Sequence, residues 1–378
     1  MVVGIDASNI LAGGGLVHLK ELLEHAQPNQ YNFTKVIVWA PQSTLDQLPD
    51  KSWLDKQTHT WLNRNLVFRI LWAYFLLPQL LKQKIKVEVL FSPGANAINF
   101  HPVVSMCQNL LPFDKKERRL YGWSWMRVRL KLLFYMQRNA FRKASRVIFL
   151  TPSSIGYTNI NGLNINSKAV VVPHGIHARF GEQLVKEKHT VIKILYVSIV
   201  DVYKHQHNVV EAVYSLLDKG YKVELTLVGS SYAPAMRDLE RAIAQRPEYI
   251  NAVKYVNKVP HNDLVSFYQE ADIFVFASSC ETFSLILLEA MASRLPIACS
   301  DRDTLRDTLQ DAGVYFDPYQ SKDIAKVLAN LIDDEPLRFE LRKKAYEKAC
   351  LYSWRTCADL TFRALSQVGA ENRINFKG

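Results

Sequence analysis

The sequence predicts an α/β protein built from two doubly wound parallel sheets in tandem, and three observations predict it. Strand-like apolar runs alternate with stretches of helical periodicity, which points to crossover connections and to parallel sheets covered on both faces. The runs fall into two successive sets, and at 378 residues the chain exceeds the size at which one core usually keeps growing. A polar, charged stretch at 181–190 interrupts the alternation between the sets, as a linker does.

The first set reads "VVGID" (2–6), "KVIVWA" (35–40), "KVEVLFS" (86–92), "VVSMCQ" (103–108), "SRVIFLT" (145–151) and "KAVVVP" (168–173). The second reads "IKILYVS" (192–198), "KVELTLVG" (222–229), "VKYVNKV" (253–259), "DIFVFAS" (272–278), "PIACSD" (296–301) and "GVYF" (313–316). Within each set a strand returns after about 20 to 30 residues, the length a crossover needs. From "DEPLRFELRKKAYEKAC" onward the chain reads as two helices separated near "YSW", and the tail "AENRINFKG" is expected to fray. The domains expected are 1–180 and 181–352, with 353–378 a terminal helix and tail packing back on the first.

The amino terminus lacks a basic start, and its apolar run is too short for a signal peptide. The longest apolar stretch, "ILWAYFLLPQLL" at 70–81, contains a proline and falls short of the roughly 20 residues that span a bilayer, so no transmembrane helix is expected. Five cysteines with no CxxC pair and no metal-ligand spacing argue against a disulfide framework and a zinc site, which suits a reducing cytoplasm. Charge is divided unevenly: up to residue 180 there are 22 Lys and Arg against 9 Asp and Glu, and beyond it 25 against 27. The first half is therefore the basic, partner-binding half.

Chemistry is expected beyond the carboxyl ends of the strands, where loops enter helices. "SSCETFSLILLEAMASRLP" (278–296) is such a strand-loop-helix passage, and it carries two glutamates, Glu281 and Glu289, through an otherwise nearly uncharged segment. A buried ionised carboxylate needs a partner. The unpaired N–H groups that open the helix suit an anion or a polar sugar edge, with Thr282 or Ser279 as cap.

This passage resembles the E-x7-E element of the retaining GT-B glycosyltransferases of family four, usually E-x-F-G-x4-E-A-M-A-x-G-x-P. Glu281, Phe283, Glu289, Ala290, Met291, Ala292 and Pro296 match, while Ser284 and Arg294 stand where glycines are usual. The resemblance implies that Glu281 holds hydroxyls of a donor sugar, that Thr282, Phe283 and Ser284 support the sugar or diphosphate, and that Glu289 meets the nucleotide ribose. "LYVSIVDVYKHQH" (195–207) resembles the family's G-R-l-x-x-x-K segment: Lys204 matches the lysine that neutralises the departing diphosphate, and Ser198 and Ile199 replace the glycine and arginine. His205, His207 or an arginine of the other domain are candidates to make up the missing charge.

Glycines let backbone N–H groups approach an anion, and the resemblance assigns "GGG" after the first strand, with Gly14 and Gly15 foremost, to donor phosphates or the acceptor edge. Gln108 and Asn109 stand where relatives carry a histidine near the reacting sugar, as acceptor-side residues or as structural amides. "VVPHGIH" (171–177) resembles the interdomain V-P-N-G-v-D, with His174 in the asparagine position.

Taken together, the resemblance implies two Rossmann-like domains facing across a cleft, the first for an acceptor and the second for a nucleotide-sugar donor. It implies a retaining hexosyltransferase that passes a hexose from a nucleotide diphosphate sugar to a saccharide or lipid-linked acceptor in bacterial-type surface polysaccharide, lipopolysaccharide or glycolipid synthesis. No cofactor beyond the donor is expected. Nor is a divalent metal, because no DxD-like acidic pair stands at a strand end and Asp333 and Asp334 fall in a helix near the carboxyl terminus.

Residues 115–143 interleave ten cations with Trp123, Trp125, Phe134 and Tyr135. Such a stretch suits an anionic membrane surface, and it equally suits an amphipathic core helix with a solvated basic face. Nucleic acid is not expected, because no zinc-finger spacing or RNP-type aromatic motif is present. The location expected is cytoplasmic, peripheral at the inner face of the membrane. The rival reading is a binding protein that holds an anionic polymer, nucleic acid or lipopolysaccharide without turning it over.

Overall fold

A computed structural model describes residues 1–83, 85–181 and 190–375, apart from the side chains of the last two. The chain divides into two compact units, one of Met1–Arg118, Trp123–Gly175 and Ser353–Gly378, the other of Arg119–Gly122 and Ile176–Tyr352.

The first unit holds β1 (Val2–Asp6), β2 (Lys35–Trp39), β3 (Leu54–Gln57), β4 (Val89–Ser92), β5 (Val103–Met106), β6 (Arg146–Phe149) and β7 (Ala169–Val171). They form one parallel sheet in the order β3-β2-β1-β4-β5-β6-β7, with Ile5 between Val38 and Phe91. The second unit holds β8 (Ile192–Val197), β9 (Val223–Val228), β10 (Val253–Val256), β11 (Ile273–Phe276), β12 (Ile297–Ser300) and β13 (Val314–Phe316), ordered β10-β9-β8-β11-β12-β13 and again parallel. Central strands such as β4 and β11 are buried at every residue, as an apolar run with helices on both faces requires. In each sheet the crossovers reverse direction at the middle, between β1 and β4 and between β8 and β11. There the exit loops diverge and leave room for a ligand at the carboxyl ends.

The sequence reading lacks β3, whose "LDKQ" is not an apolar run. It is an edge strand of part-exposed residues, tied to β2 by Lys35 to Asp55 at 2.7 Å, so it needs no apolar pattern. The unit boundary falls at Gly175, before the expected 180. Gly175 lies against the backbone of Trp354, where an added Cβ would sit 2.0 Å from the Trp354 nitrogen, and this contact keeps the "VPHG" turn in the first unit. Most of the expected linker at 181–190 lies outside the described residues.

The terminal helix Trp354–Asn375 belongs to the first unit, with Phe362 edge-on to Phe33 at 6.0 Å. Contrary to the expected fraying, it runs on to Asn375. Ion pairs from Arg146 to Glu371 (2.9 Å) and Arg373 to Glu88 (2.7 Å) hold its end, and 376–378 lie outside the described residues. Asp334 also departs from the expected helical position: it is the cap before Glu335–Ala349, accepting from the Leu337 N–H at 2.8 Å.

The apolar stretch at 70–81 forms part of a helix that begins at Leu66–Leu71, takes a π turn at Trp72–Leu76 and continues through Leu77–Gln83. Pro78 has no N–H to give the carbonyl of Tyr74, and the π turn lies over that defect. Trp72, Ala73, Leu77 and Leu81 pack on Trp39, Leu62 and Leu90, while Leu66, Val67, Tyr74 and Phe75 face outward. Among the described residues no helix is long and apolar enough to cross a membrane.

Candidate active site

The reversal in the second sheet brings the loop after β8 beside the loop after β11, and hydrogen bonds join them. The Tyr203 carbonyl accepts from the Ser279 N–H at 2.9 Å and from its hydroxyl at 3.1 Å; His205 Nε2 lies 2.9 Å from the same hydroxyl, and Tyr196 donates to the Lys204 carbonyl at 2.7 Å. His205 takes a left-handed backbone, φ +50°, which turns the chain from the short 3-10 turn Val202–Lys204 into the helix Gln206–Asp218. This geometry places Lys204 against Glu281 in an ion pair.

Lys204 is buried, and its ammonium lies 5.0 Å from the Tyr203 ring and 5.2 Å from that of Phe276. An aromatic floor of this kind favours a cation that has lost water. Burial, and next the charge of Glu281, push the Tyr196 and Tyr203 phenols well above their ordinary range, so both remain protonated. The two residues singled out from separate sequence segments thus form one largely buried, paired centre.

The helix Leu285–Ala292 begins after Ser284, whose hydroxyl accepts from the Leu287 N–H at 3.2 Å. The expected caps, Thr282 and Ser279, do not fill this role: both are buried in the loop, and the Ser279 hydroxyl is committed to Tyr203 and His205. Serine in place of the usual glycine therefore supplies the cap. Phe283 is buried with its ring 5.7 Å from that of Tyr352.

Glu289, in the second turn, accepts from His261 Nε2 at 2.7 Å and from the Tyr268 hydroxyl at 3.0 Å. A carboxylate has about four acceptor sites, so these two bonds fix its orientation and leave capacity for another donor. The other departure from the usual pattern, Arg294, adopts the left-handed conformation that glycine favours, φ +55°. Its guanidinium lies over the Tyr346 ring at 3.4 Å and its carbonyl accepts from Arg342 Nε at 3.0 Å.

Ile199 is 41% exposed and brings no charge; its carbonyl accepts from Gln206 Nε2 at 2.9 Å and the Ser198 hydroxyl at 3.0 Å. Gly229 lets the backbone of residues 198–199 pass close by, since a Cβ there would meet the Ser198 carbonyl oxygen at 2.1 Å. His207 does not replace the missing cation, since burial lowers its pKa and holds it neutral.

At the corresponding reversal of the first sheet, Asn96 donates to Asp6 Oδ2 at 2.6 Å and to the Ser8 hydroxyl at 3.1 Å, and accepts from Asn9 Nδ2 at 2.7 Å. Burial raises the pKa of Asp6 against the opposing effect of these bonds. Gly13 (φ +69°), Gly14 and Gly15 open the helix Gly13–His25, which has no side-chain cap. A Cβ on Gly15 would lie 3.0 Å from Gln108 Oε1, so glycine there admits Gln108, whose Nε2 meets His18 Nδ1 at 3.2 Å. Asn109 closes a turn, its side chain accepting from the Leu111 N–H at 3.0 Å. The structure thus groups Gly15 with Gln108, and gives Asn109 a turn role.

Sequence reasoning missed Asp6, Asn9 and Asn96, although an Asp closing the first strand and "PGAN" after β4 were available signals. His261 and Tyr268 had no local signal, since only the fold brings them to Glu289. Among the described residues one group of three potential metal ligands comes together, His18, His174 and Cys357, all buried in the first unit with ligating atoms within 4.8 Å of one another. Burial lowers the His18 pKa to about 4 and pushes the Cys357 thiol up to about 12, while burial and then His18 hold His174 well below its ordinary value. Packed with Trp354, whose ring is 5.4 Å from that of His174, they form an uncharged cluster spread too widely in sequence for spacing to reveal.

Two doubly wound parallel units, one with a Lys–Glu ion pair at its topological reversal, define the class as Rossmann-like α/β. Residues 182–348, most of the second unit, match the family model "Glycosyl transferases group 1". The curated relatives include O-antigen chain mannosyltransferase B of Escherichia coli, 28% identical over 45% of this chain and 44% of that protein. The chain spans less than half the length of the curated relatives it matches. Among solved structures, sucrose-phosphate synthase from Thermosynechococcus elongatus superposes with a TM-score of 0.74 at 16% identity, over 100% of this chain and 99% of that one. Anabaena HepE, solved in complex with UDP and glucose, superposes at 0.70 with 15% identity over 97% and 100%. These likenesses show the GT-B fold.

Proposed function

We propose that the protein is a retaining, metal-independent hexosyltransferase that takes a nucleotide diphosphate sugar as donor and a saccharide or lipid-linked molecule as acceptor, in the synthesis of a surface polysaccharide, lipopolysaccharide or glycolipid. The observation that carries this reading is the buried Lys204–Glu281 pair at the reversal of the second sheet. Transfer breaks the bond between the anomeric carbon and the diphosphate oxygen and forms one to an acceptor hydroxyl, whose proton leaves to the diphosphate or solvent. Charge develops on the departing diphosphate, and a preorganised cation in a dry site stabilises it more than water does. Lys204 is that cation; Glu281 holds it in place and accepts from donor hydroxyls. Glu289, oriented by His261 and Tyr268, receives the ribose, and Thr282, Phe283 and Ser284 line the approach to the helix.

In the first unit, Gly14, Gly15 and Gln108 form the edge that meets the acceptor or the donor phosphates. The basic segment 115–143 supports docking on the anionic inner face of a cell membrane, each cation near such a surface contributing about 1 kcal/mol. The testing experiment is turnover: the protein, with vesicles containing bacterial lipid extract, is incubated with UDP-, GDP- and ADP-hexoses. Release of nucleotide diphosphate from at least one donor, lost in Lys204→Ala and Glu281→Ala, is expected. If no donor is consumed and none binds, the reading as a non-catalytic binder of an anionic polymer replaces it, favoured then by the uncharged Ile199.

A further inference from the structure

The helix Trp125–Lys143 carries Arg127, Arg129, Lys131, Arg138, Arg142 and Lys143 and no acidic residue. Its packed side is Leu130, Ala140 and Phe141. A second apolar stripe, Trp125, Val128, Leu132 and Tyr135, recurs at helical spacing and lies in solvent, every member more than half exposed, with Trp123 fully exposed just before it. Phe134, by contrast, turns inward, edge-on to Phe113 at 5.4 Å and covered by the Arg118 guanidinium.

Across from Tyr135 stands the outward face of the helix that contains the π turn, with Tyr74 and Phe75 about half exposed. Between the helices is a pocket of about 250 Å³, walled by Ile70, Ala73 and Tyr74 on one side and Tyr135 and Met136 on the other. At roughly 30 Å³ for a water-sized group, such a volume takes a short run of hydrocarbon and not a whole lipid. Asn96 also lines it, and Asn96 is the amide bonded to Asp6, Ser8 and Asn9 at the carboxyl ends of β1 and β4. An apolar pocket flanked by a cationic, aromatic-rich surface therefore reaches the edge of the sheet where ligands gather.

We propose that this pocket holds part of the hydrocarbon chain of a lipid-linked acceptor, drawn from an anionic bilayer on which the exposed stripe rests, and that Asn96 marks the end toward which the acceptor's polar head is delivered. The proposal rests on the transferase reading above. Six cations without an acid match a phosphate-bearing surface, and tryptophan and tyrosine settle in the headgroup layer. A peptide would need partners for its backbone groups, and this side-chain lining offers few.

The test is photo-crosslinking with the full chain on phosphatidylethanolamine–phosphatidylglycerol vesicles, using a polyprenyl phosphate that carries a diazirine in its chain. The expected result is saturable labelling of 70–74 and 135–139, displaced by unlabelled polyprenyl phosphate and reduced about tenfold, a change of 1.4 kcal/mol in affinity, by Met136→Trp. Tyr74→Arg, at a half-exposed position, repeats the test independently should Met136→Trp fail to fold. Labelling elsewhere, labelling indifferent to the folded variant, or equal labelling by a diacyl lipid bearing the same diazirine overturns the proposal. Thermal shift with nucleotide sugars on the same preparation separates the two claims. Specific labelling without a donor response removes the transferase reading alone, and a donor response without specific labelling removes the pocket alone.

Discussion

Lys204 and Glu281 share one low-dielectric position, with side chains 6% and 14% exposed, so each is costly to lose singly. Removing one partner of a buried pair leaves an uncompensated charge, at about 3–5 kcal/mol, whereas replacing both with uncharged groups is often tolerated. Lys204→Met is therefore expected to lower the unfolding free energy by that order, and Lys204→Met with Glu281→Gln to recover most of it, in urea titrations. Activity is expected to separate from stability: the double variant remains slower by about 10²–10³-fold, the scale for losing one electrostatic contact to a leaving or developing anion. Equal recovery of turnover and stability would make the pair structural only. Glu281 was legible as a lone carboxylate beyond an apolar run, and Lys204 through the resemblance of 195–207 to a family segment. Their mutual contact was not, since it depends on the adjacency of β8 and β11.

At the scale of single elements, the helix Leu285–Ala292 shows how a departure from the usual residue is absorbed. Ser284 caps it, so Ser284→Ala is expected to cost about 1 kcal/mol and Ser284→Gly only a few tenths, read by thermal unfolding. The reverse order would mean that the hydroxyl does not cap. At its other end Arg294 bears the left-handed strain that glycine avoids, offset by stacking on Tyr346. The helix Trp125–Lys143 gives a surface prediction: Trp123→Ser with Trp125→Ser weakens sedimentation with anionic vesicles, and raising salt weakens it further. Binding unchanged by both would assign the stripe another role. Strands with continuous apolar runs were legible residue by residue, and β3 was not, because an edge strand needs no such run. The basic segment was legible as composition, but which aromatics face solvent was set by packing: Phe134 goes inward and Trp123 outward.

For the molecule as a whole, the buried histidines of the first unit set a pH response. The His18 pKa is lowered to about 4 by burial and His174 is lowered as well, so between about 4 and the unfolded value near 6.5 the unfolded chain binds more protons than the folded one. The stability from keeping them neutral is full above pH 6.5 and is lost as pH falls toward 4, by about 3 kcal/mol for His18. Urea unfolding at pH 7, 5.5 and 4.5 is expected to show this decline, with a shallower slope in His18→Phe; an unchanged slope would remove His18 as its source. The division into units was legible from the two sets of strands, but the return of Trp354–Asn375 to the first unit depends on contacts such as Gly175 with Trp354, which no local pattern announces.

A nucleotide sugar seated at the Lys204–Glu281 pair is tested most directly by calorimetric titration of UDP-, GDP- and ADP-hexoses into wild type and Glu281→Gln. At least one donor is predicted to bind the wild type and to bind the variant about tenfold more weakly or worse, a loss of 1.4 kcal/mol or more. Absence of binding by every donor, or equal affinity in the two proteins, would contradict it.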